Sequence, residues 1–166
     1  MPLGFRPVEL PLARVRAHLA SLPSPIDSFL EGHVLESRHY EIVADGAPAG
    51  LASVHKGTLL TQFMLDEPHR RHGQAAWRLV RGLESMNAAF VPTCDEFFLS
   101  HALDDYRRLA KQAYFFTAPA GSGGAAPAGF SLRPAVPDDL DLVRAMSGDF
   151  FPDAPRMLAA GELFVT

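Results

Sequence analysis

Residues 58–86 of the chain read TLLTQFMLDEPHRRHGQAAWRLVRGLESM, and this stretch decides the fold. It begins with the apolar run Leu59–Leu65, which has the length of a buried strand. A turn over Asp66–Pro68 follows. The apolar residues after the turn recur at helical spacing, and they are Ala76, Leu79, Val80, Leu83 and Met86. The stretch therefore predicts a strand, a loop and an amphipathic helix in succession.

The loop between the predicted strand and helix is suited to binding an anion. The first turn of a helix has unpaired N–H groups and carries the positive end of the helix dipole. Gly73 lacks the side chain that would obstruct a phosphate. We therefore expect the backbone N–H groups from Arg71 to Ala75 to bind a phosphate, with positive charge supplied by Arg70 and Arg71. The alternative for these arginines is a solvated helix face, and for Arg78 we prefer that alternative. A surface turn before an ordinary amphipathic helix would give the same pattern.

The spacing Arg70-x-x-Gly73-x-Ala75 resembles the pyrophosphate loop of the GCN5-related N-acetyltransferases (GNAT family), Arg/Gln-x-x-Gly-x-Gly/Ala. In that family the loop follows the fourth strand and holds the diphosphate of acetyl-CoA. The resemblance implies an enzyme that transfers acetyl from acetyl-CoA to a small amine. It also implies six cofactor-binding residues in the loop: Arg70, Arg71, His72, Gly73, Gln74 and Ala75.

The segments before this stretch predict the order of elements that the family has. A short strand over residues 4–10 precedes a helix over residues 12–22, and a second helix is expected to begin with Ser24 as its cap. Two strands follow, His39–Ala44 and Gly50–His55, joined by a turn. The resemblance therefore implies an α+β fold, in which a mostly antiparallel central sheet is flanked by helices.

Two runs after Met86 are candidates for the fifth strand, Ala89–Val91 and Glu96–Ser100. We prefer Glu96–Ser100, because Pro92 interrupts the earlier run. A helix over residues 102–113 and a strand over residues 114–117 are expected to follow.

Amide formation from a thioester requires a bound cofactor, a polarised carbonyl and groups that move protons. In the family the pantetheine arm pairs with the backbone of the fourth strand, which implies that Phe63, Met64 and Leu65 bind it. The family's fourth helix often reads Ala-x-x-x-Tyr-x-x-Leu-Gly-Phe, and its tyrosine protonates the leaving thiolate. Tyr106 is the candidate here, although Ala110 and Lys111 replace the Gly-Phe pair; the alternative is a core aromatic.

The general base for the amine is expected to be Glu67, Asp66 or His101. Each residue also has a structural alternative, as a turn carboxylate or as a polar residue at a helix start. His69 and His72 are three residues apart, but the sequence offers no third ligand beside them, so no metal is predicted.

Composition divides the chain and excludes several classes of function. Residues 119–129 are Gly/Ala/Pro-rich and are predicted to form a linker. The resemblance implies a GNAT-like domain over residues 1–118, and because residues 130–146 resemble the opening strand and first helix of another such domain, 130–166 is either the start of a second GNAT-like domain or a docking tail. A single domain completed by the last strands is the alternative. An unpaired strand in the tail would favour a homodimer.

The net charge of −4, without a basic block, argues against a nucleic-acid partner. No apolar run has the length of a membrane span. Cys94 is the one cysteine, so no internal disulfide can form and the cytoplasm is the expected location. Two alternatives to an active enzyme remain: a catalytically degenerate half of a tandem acetyltransferase, and a phosphate-binding module.

Overall fold

The computed structural model describes residues 2–112, 129–148 and 153–165. The chain divides into two compact units, residues 1–116 and residues 117–166. Within the described ranges, every helix is too short or too polar to cross a lipid bilayer.

The first unit is built around a five-stranded sheet. Its strands, in sheet order, are β1 (Leu3–Val8), β2 (Arg38–Ala44), β3 (Ala47–His55), β4 (Leu59–Leu65) and β5 (Ala88–Ala89). The pairs from β1 to β4 are antiparallel, and β5 pairs in parallel with the start of β4. The predicted α+β fold with a mostly antiparallel sheet is therefore confirmed. The four strands predicted before the loop also lie within three residues of their observed bounds.

The helices of this unit, within the described residues, are α1 (Leu12–Ser21), α2 (Ser28–Leu35), a 3₁₀ helix (Glu67–His72), α3 (Gly73–Val80) and α4 (Glu96–Asp104). Val15 of α1 packs with α2 and with Leu51 of β3. Ala52, the next residue of β3, packs with Trp77 of α3 and Phe98 of α4. Successive strand residues point to opposite faces of a sheet. The helices α1 and α2 therefore cover one face, and α3 and α4 cover the other.

The segment Glu96–Ser100 is helical, so the prediction of a strand there is wrong. It opens α4, where the Asp95 carboxylate accepts a hydrogen bond from the Phe98 N–H at 3.0 Å and so caps the helix. The fifth strand is Ala88–Ala89 instead, and it ends before Pro92. A short apolar run fits both a strand and a buried helix, and here the cap decides between them.

Three predicted helix boundaries are also wrong. The second helix begins at its cap Asp27, whose side chain accepts from the Leu30 N–H, and does not begin at Ser24. The helix after the loop ends at Val80, so the buried Leu83 packs on the core from the following turn. The helix predicted over 102–113 ends at Asp104, and the strand predicted over 114–117 lies outside the described residues.

The second unit contains a two-stranded antiparallel sheet, β6 (Arg133–Pro134) with β7 (Phe164–Val165), and the helices α5 (Leu140–Ser147) and α6 (Ala154–Ala159). Both oxygens of the Asp139 carboxylate accept from the Arg133 guanidinium at 2.7 Å, and this pairing together with the Val136 N–H lowers the pKa of Asp139 to about 2. Because β7 pairs with β6, the tail strand is not unpaired, and this reason for expecting a homodimer is wrong.

Two buried histidines make the stability of the first unit dependent on pH. His39 and His55 are 3% and 6% exposed. Burial lowers the pKa of both, and the neighbouring His33 and Lys56 lower the pKa of His55 further. A histidine with a lowered pKa in the folded state takes up a proton on unfolding in mild acid, so acid favours the unfolded chain.

We therefore expect the free energy of unfolding to fall as the pH drops below about 6.5, the ordinary histidine value, and to level off below the folded pKa values. Urea denaturation from pH 7.5 to pH 5 measures this, and His55→Phe should reduce the slope. A stability that stays constant over this range would contradict the prediction.

Candidate functional site

The strands β4 and β5 pair only where they begin, and then they diverge. The parallel pairing covers Leu59–Leu60 and Ala88–Ala89, and the Phe90 N–H donates to the Leu60 carbonyl at 2.8 Å. After Phe90 the chain leaves the sheet and reaches Asp95, the cap of α4. Within the described residues, no strand pairs with that edge of β4 beyond Leu60.

A cleft of about 500 Å³ lies at this divergence. One wall is α1, which contributes Arg14, Ala17, His18 and Ser21. The end of β4 and the turn after it contribute Met64, Leu65, Asp66, Glu67 and Arg70. The segment that enters α4 contributes Cys94, Asp95, Glu96 and Phe97. The cleft therefore joins a strand edge to several titratable side chains.

The three residues predicted to bind pantetheine lie at this end of β4. Met64 and Leu65 line the cleft. Phe63 is fully buried, and its ring stacks on Phe97 with centroids 5.3 Å apart, so its side chain belongs to the core. A role for its backbone stays a prediction.

The predicted pyrophosphate loop does not present the expected series of free backbone N–H groups. Its residues before Gly73 form the 3₁₀ helix, whose i to i+3 bonds use backbone N–H groups. The Gly73 N–H itself donates to the Arg70 carbonyl, so the expectation of a free amide at this residue is wrong. Gln74 and Ala75 are exposed residues in the first turn of α3.

The arginines of this loop lie close to the cleft and to α3. Arg70 lines the cleft, forms an ion pair with Glu67 at 3.2 Å, and lies 4.9 Å from the centre of the Phe97 ring. Arg71 is exposed and donates to His72 Nε2 at 3.0 Å. Both guanidinium groups therefore lie near the N-terminal end of α3.

Gly73 is required by packing. A Cβ atom at this residue would lie 2.3 Å from His101 Nε2, 2.7 Å from His101 Cε1 and 3.1 Å from Phe97 Cζ. The missing side chain therefore allows α3 to approach α4, which the sequence did not indicate.

The structure places the predicted proton carriers in different surroundings. His101 is buried in α4, where its Nδ1 hydrogen-bonds the Phe97 carbonyl at 2.7 Å and its ring packs on Phe63 and Trp77. It does not line the cleft. Tyr106 lies two residues beyond the end of α4, is 59% exposed and does not line the cleft either. The catalytic roles of both residues stay predictions.

Two predicted carboxylates do line the cleft, and both are paired. Asp66 accepts from Arg14 Nη2 at 2.6 Å, and Glu67 accepts from Arg70. Across the described ranges, no group of three or more His, Cys, Asp or Glu residues could hold a metal ion.

Sequence reasoning missed a histidine–aspartate pair in the cleft wall. His18 Nε2 lies 2.9 Å from Asp95 Oδ2, and the two side chains are 14% and 5% exposed. The residues are 77 positions apart in the chain, so no spacing pattern links them. One signal was present: His18 lies three residues after the buried Val15, on the inner face of α1.

Comparisons with known proteins agree with this architecture. The acetyltransferase (GNAT) domain family matches residues 12–118. Among solved structures, an acetyltransferase from the GNAT family of Colwellia psychrerythraea is similar, with a TM-score of 0.73 and 14% identity. That similarity covers 100% of this chain and 67% of the other, and it confirms the fold.

A second structure, AAC(6')-Iy in complex with the bisubstrate analogue CoA-S-monomethyl-acetylneamine, matches with a TM-score of 0.41 and 16% identity over 72% of this chain and 99% of the other. A search of curated proteins gave no match. Because the family match spans well over half of the sequence, the chain belongs to the GNAT acetyltransferase family and is a GNAT-type N-acetyltransferase.

Proposed function

We propose that the first unit binds acetyl-CoA in the cleft between β4 and β5 and transfers its acetyl group to a small amine. The divergence of these two strands is the observation that supports this most directly. An extended chain with amide groups can pair with an unpaired strand edge by backbone hydrogen bonds. The pantetheine arm of CoA is such a chain, and the edge of β4 beyond Leu60 is such an edge.

The residues around the cleft fit the parts of this cosubstrate. The backbone of Phe63, Met64 and Leu65 would pair with the pantetheine arm. The backbone amides of Gln74 and Ala75, two exposed residues at the start of α3, would bind the diphosphate, with positive charge from Arg70 and Arg71 and further contacts from His72 and Gly73. Acetyl-CoA supplies the activated thioester; the protein supplies position and charge.

Cys94 offers a direct test of where the cosubstrate binds, because it is the one cysteine of the chain, is half-buried and lines the cleft. We expect acetyl-CoA to slow the alkylation of Cys94 by iodoacetamide at least tenfold, with calorimetry giving the affinity. ATP is the matched control, since it carries phosphates and adenosine without pantetheine. If ATP protects Cys94 as well as acetyl-CoA does, the phosphate-binding module is favoured. If acetyl-CoA neither protects Cys94 nor releases heat on mixing, the proposal is overturned.

A catalytically degenerate domain is the second candidate. The position of Tyr106 favours it, because this residue is exposed and lies beyond α4. Release of CoA thiol over a panel of small amines separates the two candidates. Binding of acetyl-CoA without turnover favours the degenerate domain, and turnover excludes it.

The remaining expectations stand as proposals. The second unit has a strand at Arg133–Pro134 and a helix at Leu140–Ser147, in the order expected for the start of a second GNAT-like domain. The lone Cys94 supports a cytoplasmic location. A homodimer would be tested by light scattering of the full chain.

A further inference from the structure

We propose that His18 is the general base that removes a proton from the acceptor amine, and that Asp95 is the positioning residue that holds His18 in the reactive tautomer. This inference rests on the proposed acetyl transfer. It differs from the sequence-based expectation, which looked for the base at Glu67, Asp66 or His101.

The position of His18 suits this role. It lies in the last turn of α1 and lines the same cleft as Met64 and Leu65. Its side chain is 14% exposed, so it is held by its surroundings but still reaches the cleft. A base must lie within hydrogen-bond reach of the proton it takes, and α1 lines the same cleft as the end of β4.

The hydrogen bonds around Asp95 determine which ring nitrogen of His18 is basic. Asp95 Oδ1 accepts from the Phe98 N–H at 3.0 Å, and Asp95 Oδ2 lies 2.9 Å from His18 Nε2. An ionised carboxylate can only accept, so this hydrogen bond requires the ring proton on Nε2. Nδ1 then keeps its lone pair.

The other ring nitrogen is available to a substrate. Within residues 2–112, no protein group hydrogen-bonds His18 Nδ1. The buried side-chain nitrogens of the described residues that lack a partner belong to His39, His55, Gln62 and Trp77. Nδ1 of His18 is not among them, so it remains in contact with solvent.

The neighbouring charged groups are less suited than His18 to act as the general base. The titratable or charged groups that share the cleft with the pair are Arg14, Asp66, Glu67, Arg70, Cys94 and Glu96. Asp66 already accepts from Arg14, and Glu67 already accepts from Arg70. Glu96 is exposed. His18 alone combines a fixed tautomer with an accessible lone pair.

His18 takes up and releases one proton in each turnover. The amine arrives as an ammonium ion, and Nδ1 takes one of its protons. The freed nitrogen lone pair forms the C–N bond with the acetyl carbonyl carbon, and the C–S bond breaks with its electrons on sulfur. A second amine proton passes through water to the thiolate. His18 then releases its proton to solvent, and meanwhile the Asp95 carboxylate stabilises the imidazolium.

The first test replaces the base. We expect His18→Gln to lower kcat at least 100-fold, within the usual range for loss of a general base, while the KM for acetyl-CoA changes less than twofold. In the wild type, kcat/KM for the amine should fall at acid pH because one enzyme group becomes protonated. That acidic limb should be missing in the variant. His33→Gln is the matched control, because His33 lies on α2 outside the cleft, and it should retain wild-type turnover.

The second test changes only the tautomer. In Asp95→Asn the amide oxygen can still accept from the Phe98 N–H, since Asn caps helices as well as Asp does. Its NH₂ group then faces His18 Nε2, which must become an acceptor, and the ring proton moves to Nδ1. We expect this variant to lose turnover as His18→Gln does, with its melting temperature nearly unchanged.

The outcomes separate this inference from the proposed function. If acetyl-CoA binds and the wild type turns over, but either variant keeps its rate and its acidic limb, the inference is overturned and the function stands. Lower melting temperatures with an unchanged pH profile would show a structural role and would also overturn it. A wild type that does not bind acetyl-CoA, or does not turn over, overturns both.

Discussion

Replacing Gly50 by Ala is expected to destabilise the first unit by about 3 kcal/mol or more, at the upper end of the cost of overpacking. A Cβ atom at this residue would lie 2.3 Å from the Met64 carbonyl oxygen, 2.5 Å from Leu65 Cδ2 and 3.2 Å from Leu65 Cα. Two of these atoms belong to the backbone of β4, which the ladder to β3 holds in place. The added methyl group must therefore push the two strands apart.

Chemical denaturation measures this cost, and the same variant tests the cleft. Met64 and Leu65 line it, so acetyl-CoA should also lose its protection of Cys94. Gly32→Ala in α2 is the control: nothing lies within 4 Å of its added Cβ, and Ala is favoured over Gly in a helix by about 1 kcal/mol. A Gly50→Ala variant as stable as the wild type would contradict the packing at this residue.

Gly73→Ala is expected to cost about 1–3 kcal/mol, because the added Cβ overlaps the ring of His101. This ring cannot rotate away freely. Its Nδ1 bonds the Phe97 carbonyl at 2.7 Å, and its ring lies 4.5 Å from the Phe97 ring and 5.5 Å from the Phe63 ring, measured between centroids. The cost should appear in denaturation of the protein without any ligand.

A double-mutant cycle identifies the cause of that cost. In the background of His101→Ala the ring is gone, so Gly73→Ala should become neutral or stabilising by up to about 1 kcal/mol through helix propensity. The same penalty in both backgrounds would contradict the packing argument. Loss of acetyl-CoA binding in the double variant, with stability restored, would assign Gly73 a second role at the diphosphate.

The sequence determined the local structure around the loop. The apolar run Leu59–Leu65 is β4, and the helical spacing after the turn is α3, because strand and helix periodicities are properties of neighbouring residues. The Arg70-x-x-Gly73-x-Ala75 spacing, together with its place between a strand and a helix and the order of the elements, indicated the family that the comparisons confirm. Helix ends were less well determined, since a cap such as Asp27 depends on one hydrogen bond.

The segment after Met86 shows where such patterns stop being informative. Glu96–Ser100 has the aromatic run of a strand, yet the Asp95 cap and the contacts of Phe98 with the core make it a helix. A five-residue run buried on one side fits the periodicity of a strand and of a helix alike, so its cap and its packing partners decide which of the two forms.

Sequence alone determined the strand that borders the cleft, because an apolar run is a property of neighbouring residues. The family and the mostly antiparallel sheet were predicted from the resemblance of the loop and of the order of elements to the GNAT pattern. Only the tertiary structure decided that Gly73 lies against His101 and that His18 lies against Asp95. Those partners come from segments far apart in sequence, and side chains that meet across a folded core leave no periodic signal in either segment.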